Sequence, residues 1–334
     1  MPLEQAKKII SDIRKGNIAP VYFLMGEEPY YIDGIADYLE DTILSEEEKG
    51  FNQTILYGKD ISVDDIISSA KRYPMMAEKQ VIIVKEAQDL SKTIENLVGY
   101  VENLQPTTVL VICYKYKKLD ARKKLAKAIQ KRGILFESKK LYENQVPDWI
   151  KRVLAAKGYD ITPKAAQMLT EFLGNDLAKV NNELQKLQLI LQPGEQINAQ
   201  HIEDNIGISK DFNNFELQNA IGSKNTKQAF TIVHYFGQNP KNHPIQMTVA
   251  LLYSFFGKLL RFHALPNKGS AAKELKINPY FIKDYEVAAR NYPMKKVSAI
   301  IGAIRETDMK SKGVGANNVP QGDLLKELLV TIFD

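Results

Sequence analysis

The stretches of this chain best placed to do chemistry are those where an apolar run stops at glycine or at charged residues. VYFLMG (Val21 to Gly26) leads into GEEPYYID. A phosphate cradle of the form G-x-x-x-x-G-K-[ST] needs small residues, so that backbone N–H groups reach the phosphates. It also needs a lysine to neutralise them and a hydroxyl for Mg²⁺. Gly26 supplies the first glycine, but Tyr31, Ile32 and Asp33 stand where the second glycine, the lysine and the hydroxyl belong. Glu27, Glu28 and Asp33 would repel a triphosphate, and Pro29 removes an N–H donor. A second acidic position fails in the same way. VIIV (Val81 to Val84) runs into Lys85 and then Glu86, and a lysine cannot ligate Mg²⁺ where a carboxylate is required. Residues Gly26 to Asp33 therefore read as a degenerate phosphate loop, with no nucleotide cofactor expected and no hydrolysis by this chain's own residues.

Other catalytic sets are absent from the pattern. His201, His234, His243 and His263 are scattered without metal-ligand spacing and read as surface or capping groups, so neither a catalytic residue nor a metal site is assigned. The single cysteine, Cys113, excludes an intramolecular disulfide, and its place within VLVICY makes it a buried strand residue. The chain of 334 residues carries a net charge of only +5, but Lys115 to Arg132, KYKKLDARKKLAKAIQKR, holds nine basic residues against Asp120 alone. There is no apolar run of transmembrane length, and the N-terminus MPLEQAKKIISDIRKGN lacks a signal-peptide core, so a cytoplasmic location is expected.

These residues must be positioned by an organised frame, and a chain of this length implies two or three domains. Five short β-rich runs, Val21 to Gly26, Asn52 to Gly58, Val81 to Val84, Thr107 to Tyr114 and Ile134 to Ser138, alternate with helical patterns such as SVDDIISSAKRY and LDARKKLAKAIQKRG. That alternation predicts a parallel α/β sheet. In the second pattern Asp120 reads as the helix N-cap and Gly133 as its stop. After about Lys140 the strands cease. VPDWIKRVLAAKG, TPKAAQMLTEFLG and NDLAKVNNELQKLQLIL read as three helices. The second is capped by Thr162, starts at Pro163 and stops at Gly174. The third places Leu177, Val180, Leu184, Leu187 and Leu191 on one apolar face. From Asp211 onward the pattern is helical, broken at NPKNHP, LPNKGS, INP, NYP and SKGVGANN. The expected domains are 1–140, an α/β domain; 141–209, a small helical domain; and 210–334, a larger helical domain.

This order resembles the delta subunit family of the bacterial DNA polymerase III clamp loader, AAA+-like proteins without ATPase motifs. The resemblance is carried by VYFLMGEEPYYI, PMMAEKQVIIVKEA, GNDLAKVNNELQKLQL, FELQNAIGSKNTKQAF, and NPYFIKDYEVAARNYPMKKV followed by ETDMKSKG. It implies an AAA+-like five-stranded parallel sheet, a three-helix lid and a C-terminal helical collar for oligomerisation. It further implies a non-catalytic accessory subunit that binds the sliding clamp and opens its ring for loading onto primed DNA, beside other clamp-loader subunits. The Ser-Arg-Cys motif through which ATPase partners supply an arginine finger does not occur.

In that family two adjacent apolar residues just before the third strand touch the clamp. The matching residues are Met75 and Met76, which depart from the family's usual Leu-Phe-like pair. Pro74 is preset for a first helical position, so a short helix PMMAEKQ is expected, and neighbouring helical residues point about 100° apart. Tyr73, Pro74, Ala77, Lys79 and Gln80 join the expected clamp-binding surface, because two methionines contribute only about 3–6 kcal/mol between them against an association cost of about 4–15 kcal/mol. The basic run is a solvated amphipathic helix or a phosphate-tracking surface, with Lys115, Lys117, Lys118, Arg122 and Lys123 as its candidate DNA contacts. Two alternatives stay open: an active AAA+ ATPase with a divergent site, and a standalone DNA-binding protein.

Overall fold

The computed structural model describes residues 2–315 and 318–334; Met1, and Ala316 and Asn317 of the expected SKGVGANN break, lie outside it. The chain divides into two compact units, Met1–Leu141 and Tyr142–Asp334.

The first unit runs α1 (Pro2–Arg14), β1 (Val21–Gly26), α2 (Pro29–Thr42), α3 (Glu46–Asn52), β2 (Gln53–Tyr57), α4 (Val63–Ala70), β3 (Gln80–Lys85), α5 (Val98–Glu102), β4 (Thr108–Lys115), α6 (Lys124–Arg132) and β5 (Ile134–Ser138). Its five strands form one parallel sheet in the order β2-β3-β4-β1-β5. The inner strands β1, β3 and β4 are buried along nearly their whole length. Helices on both faces demand this, and it is why those strands read as unbroken apolar runs. Strand β2 is an edge, with Ile55 and Tyr57 exposed, so its sequence signal is weaker. Val21, Phe23, Met25, Ile82, Val84, Leu110 and Ile112 form one core face with α4, α5 and α6. The alternate residues of β1, such as Tyr22 and Leu24, face α1 and α2 on the other side.

Two expected helix boundaries in this unit are corrected. Helix α6 starts at Lys124, not after Asp120. The Asp120 carboxylate accepts from the Arg122 N–H at 3.0 Å and pairs with its guanidinium at 2.7 Å, holding a turn instead of capping a helix. The short helix from Pro74 does not form either; its residues are described with the site.

The second unit begins with α7 (Val146–Ala155), β6 (Asp160–Ile161), α8 (Pro163–Leu173), α9 (Leu177–Ile190), β7 (Gln196–Ile197) and α10 (Ala199–Ile206). The Thr162 hydroxyl caps α8 by accepting from Ala165 N–H, Pro163 opens the helix, and Gly174 ends it. Leu177, Val180, Leu184 and Leu187 form the buried face of α9, while Leu191 is half-buried just past its end. Strands do not cease at Lys140: β6 and β7 pair in parallel, Ile161 beside Ile197. A two-residue strand carries too little periodicity to read from sequence.

The unit continues with α11 (Asn214–Gly222), α12 (Thr226–Gln238), α13 (Ile245–Ala264), α14 (Ala271–Glu274), α15 (Ile282–Asn291), α16 (Met294–Ser311) and α17 (Gln321–Phe333). These helices share a core containing Phe236, Phe255, Phe256 and Tyr292, whose hydroxyl donates to Ile221 O at 2.9 Å. Helices α12 and α17 approach through Gly237 and Gly322; a Cβ on Gly322 would lie 2.9 Å from the Gly237 Cα. Backbones can meet this closely only where both residues lack a side chain.

Candidate protein-docking site

The site begins with an acidic helix. Ser45 and Glu48 close a capping box at the start of α3, the Ser45 N–H donating to the Glu48 carboxylate at 2.9 Å, and Glu46, Glu47 and Glu48 sit at the positive helix end. The helix stops at Asn52, whose side chain is buried at 4% exposure and turned towards residues 72–79, between α4 and β3. Asn52 Oδ1 accepts from Met75 N–H at 2.6 Å, and Asn52 Nδ2 donates to Met75 O at 2.9 Å and to Glu48 O at 3.1 Å.

The base of this segment is held from β3. Gln80 Nε2 donates to the carbonyls of Arg72 and, at 3.5 Å, Ser69, and to Thr108 Oγ1 at 2.7 Å. Thr108 in turn donates to Ala70 O at 2.8 Å. These bonds engage the carbonyls of Ala70 and Arg72 at and just past the end of α4, while Ser69 O also accepts from Arg72 N–H. Gln80 is therefore corrected from a surface contact to a buried anchor, 8% exposed.

Residues 73–79 form no helix. Met76 lies in the left-handed region, φ 53°, which a helix cannot continue through. The segment instead projects its apolar side chains. Met75 is 62% exposed and Met76 wholly so; Tyr73 is 77% exposed, and Phe51, next to Asn52, 76%. Pro74, Ala77 and Lys79 are half-buried. Sequence reasoning thus located the two methionines and Tyr73 but missed Phe51 and Asn52. The available signal was a large aromatic placed beside an asparagine at the end of EEEKGFN, with no apolar stripe to absorb it.

The loop from Gly26 to Asp33, expected as a degenerate phosphate cradle, is filled by the chain's own groups. Only Glu27 and Glu28 separate β1 from α2. Glu28 is buried, and its carboxylate accepts the Tyr30 N–H at 3.1 Å, capping the helix end that a phosphate would otherwise meet. Gly26, φ 125°, passes so close to β5 that a Cβ would lie 2.1 Å from Ser138 O. At the neighbouring strand ends Lys115 Nζ sits 2.8 Å from both Asp33 and Glu86, and Lys85 Nζ lies 3.0 Å from Glu40. Burial opposes the charge on both lysines, yet their hydrogen bonds to carboxylates outweigh it and raise both pKa values. The Lys115 ammonium holds Glu86 below the usual carboxylate range. Burial pushes the Cys113 thiol up to about 12, so it is unreactive at neutral pH.

Lys115 is thereby corrected from a candidate DNA contact to a half-buried ion-pair centre. Of the others, Lys117 donates to Ser91 Oγ at 2.9 Å, Arg122 pairs with Asp120, Lys123 lies 3.6 Å from Glu95 and Lys118 lies 3.8 Å from Glu137. Tyr114 is a core residue against Phe23, while Tyr116 is exposed. A further cationic surface lies on α6 itself, where exposed Lys124, Lys127 and Lys131 share one face at spacings of three and four. Leu125, Ala126 and Ile129 fill the opposite face.

The histidines hold local structure: His201 closes a capping box with Asn198, His243 stacks on Phe236 at 4.3 Å, and the His263 ring lies 2.8 Å from Tyr292 O. Among the described residues, no group of three or more His, Cys, Asp or Glu is placed to hold a metal ion. No described helix is long and apolar enough to cross a membrane. A cavity of about 770 Å³ in the second unit is lined by Glu143, Asp148 and Glu171 together with Lys151, Lys258 and Lys273.

Comparison with known proteins gives a consistent picture. The sequence pattern described as DNA polymerase III, delta subunit, matches residues 22–139, and that described as DNA polymerase III delta subunit, C-terminal domain, matches residues 211–327. The chain is similar to the DNA polymerase III subunit delta of Bacillus subtilis (strain 168), 26% identical over 335 residues, covering 96% of this chain and 93% of the relative. It is also similar to a probable DNA polymerase III subunit delta of Aquifex aeolicus (strain VF5), 22% identical over 263 residues, 75% of this chain and 72% of the relative. The solved structure of the Bacillus subtilis DNA clamp loader delta protein (YqeN) shares the fold, with TM-score 0.57 and 24% identity over 98% of this chain and 99% of that one.

Proposed function

The chain belongs to the DNA polymerase III delta subunit family, and from that premise we propose that it binds the replicative sliding clamp and opens the ring for loading onto primed DNA. The observation that carries this reading is the pair Met75 and Met76, exposed on a segment whose base is fixed by Asn52 and Gln80. An apolar side chain kept in water by a well-anchored backbone is suited to another protein's pocket. Phe51 and Tyr73 enlarge the surface. Four such groups offer about 6–12 kcal/mol of burial, which now matches the association cost of about 4–15 kcal/mol.

Within the second unit, helices α7 to α10 serve as the lid and α11 to α17 as the collar that meets other loader subunits; the C-terminal family pattern, which covers residues 211–327, supports this reading. DNA contact belongs to the assembled loader, with phosphates met by Lys124, Lys127 and Lys131 and by the outward Lys117, Lys118 and Lys123. The subunit works in the cytoplasm and contributes no catalytic residue.

The test is direct binding of the same organism's sliding clamp in solution: capture of the clamp supports the reading, and absence of any complex overturns it. Nucleotide titration by calorimetry addresses the ATPase alternative. With Glu28 capping α2 and Lys115 filling the strand ends, no ATP heat is expected at micromolar protein; measurable binding there would reject the non-catalytic assignment.

A further inference from the structure

We propose that Asn52 is a positioning residue for clamp binding, one that touches no clamp atom but fixes the two methionines in their presenting conformation; this rests on the reading of Met75 and Met76 given above. Among the described residues, residues 73–79 make no main-chain hydrogen bond to any other main-chain group. Asn52 supplies what the ladder does not. Its amide takes both backbone groups of Met75, and its second N–H is spent on Glu48 O, which fixes the amide's orientation. The residue is 4% exposed, so it is covered by its own unit.

The next residue shows why such a hold is needed. Met76 sits at φ 53°, a conformation that residues with a Cβ avoid. Released from Asn52, the segment has no main-chain bond to keep Met76 there, and it relaxes to conformers in which the two thioethers no longer project together. Only the fraction still in the presenting conformation then binds, so the apparent affinity falls by that fraction.

The experiment measures clamp association and dissociation rates for wild type, Asn52→Ala, Met75→Ser/Met76→Ser, and Ile129→Val. The last is a core truncation in α6 away from the segment. Asn52→Ala is expected to slow association about tenfold or more, as expected for two lost hydrogen bonds, with dissociation changed by less than about threefold. Ile129→Val loses stability but binds as wild type, which separates positioning from a general loss of stability. Native-like association by Asn52→Ala overturns the proposal; native-like binding by the double serine variant overturns the docking reading itself. Should Asn52→Ala fail to fold, amide exchange of wild type decides the matter. The Met75 N–H is bonded to Asn52 Oδ1, so protection is expected, and exchange at the free-chain rate overturns the inference.

Discussion

Replacing Met75 and Met76 together with serine is expected to lower affinity for the sliding clamp by at least about a hundredfold, the equivalent of about 2.7 kcal/mol, while leaving the fold's stability nearly unchanged. Both side chains are solvent-exposed in the free protein, so truncation removes little that holds the first unit together. In the proposed clamp complex each would bury an apolar surface that contributes about 1.5–3 kcal/mol, and central apolar anchors dominate such interfaces. The two positions differ in one respect. Met76→Gly relieves the left-handed backbone, which disfavours a Cβ by about 1–2 kcal/mol, so this variant is expected to melt no lower than wild type while binding the clamp about tenfold more weakly. Equilibrium titration and thermal unfolding measured on the same preparations check both statements. Unchanged clamp affinity of the double serine variant removes the methionines from the interface.

What could be read beforehand follows from how each feature is encoded. Strand β1 begins and ends where its apolar run does, and β3 and β4 sit within one residue of theirs, because full burial writes itself as hydrophobicity; β5, a half-buried edge, also keeps its expected ends, just after Gly133. Thr162, Pro163 and Gly174 were legible because caps act through their nearest neighbours. The site was half legible. Met75 and Met76 stand out as apolar residues with no stripe to join, whereas their geometry depends on Asn52, 23 residues earlier in the chain, and on Gln80, whose partners are Ser69, Arg72 and Thr108. No local pattern encodes such a bond. The helix expected from Pro74 failed for this reason: a side chain took the Met75 backbone groups, and the chain turned left-handed at the next residue. The basic run misled in a similar way. Counting charge located the cationic segment, but only the fold separates Lys115, which faces Asp33 and Glu86, from Lys124, Lys127 and Lys131, which face solvent.

That separation yields the second large effect. Lys115→Met lowers the stability of the first unit by about 1–3 kcal/mol, and it does so without nucleotide or DNA. The Lys115 side chain is only 13% exposed and its ammonium lies 2.8 Å from each of two carboxylates, while the Asp33 and Glu86 side chains are 45% and 38% exposed. Water screens the carboxylates left behind, which holds the loss below that of a fully buried pair. The pH dependence has a definite sign. Glu86 has a folded pKa below its unfolded one, so its contribution is fully present above the ordinary glutamate range and is lost as pH falls through the depressed folded value. Lys115 has a folded pKa above its unfolded one, so its contribution is present at neutral pH and is lost only as pH rises through the folded value. The gap between wild type and Lys115→Met is therefore widest near neutrality and closes on acidification through the depressed folded pKa of Glu86. Urea unfolding of the two proteins at neutral and acid pH measures it. Equal stabilities at neutrality would mean that the ion cluster at the strand ends does not hold them together, and Lys115 would return to the set of cations available for phosphate.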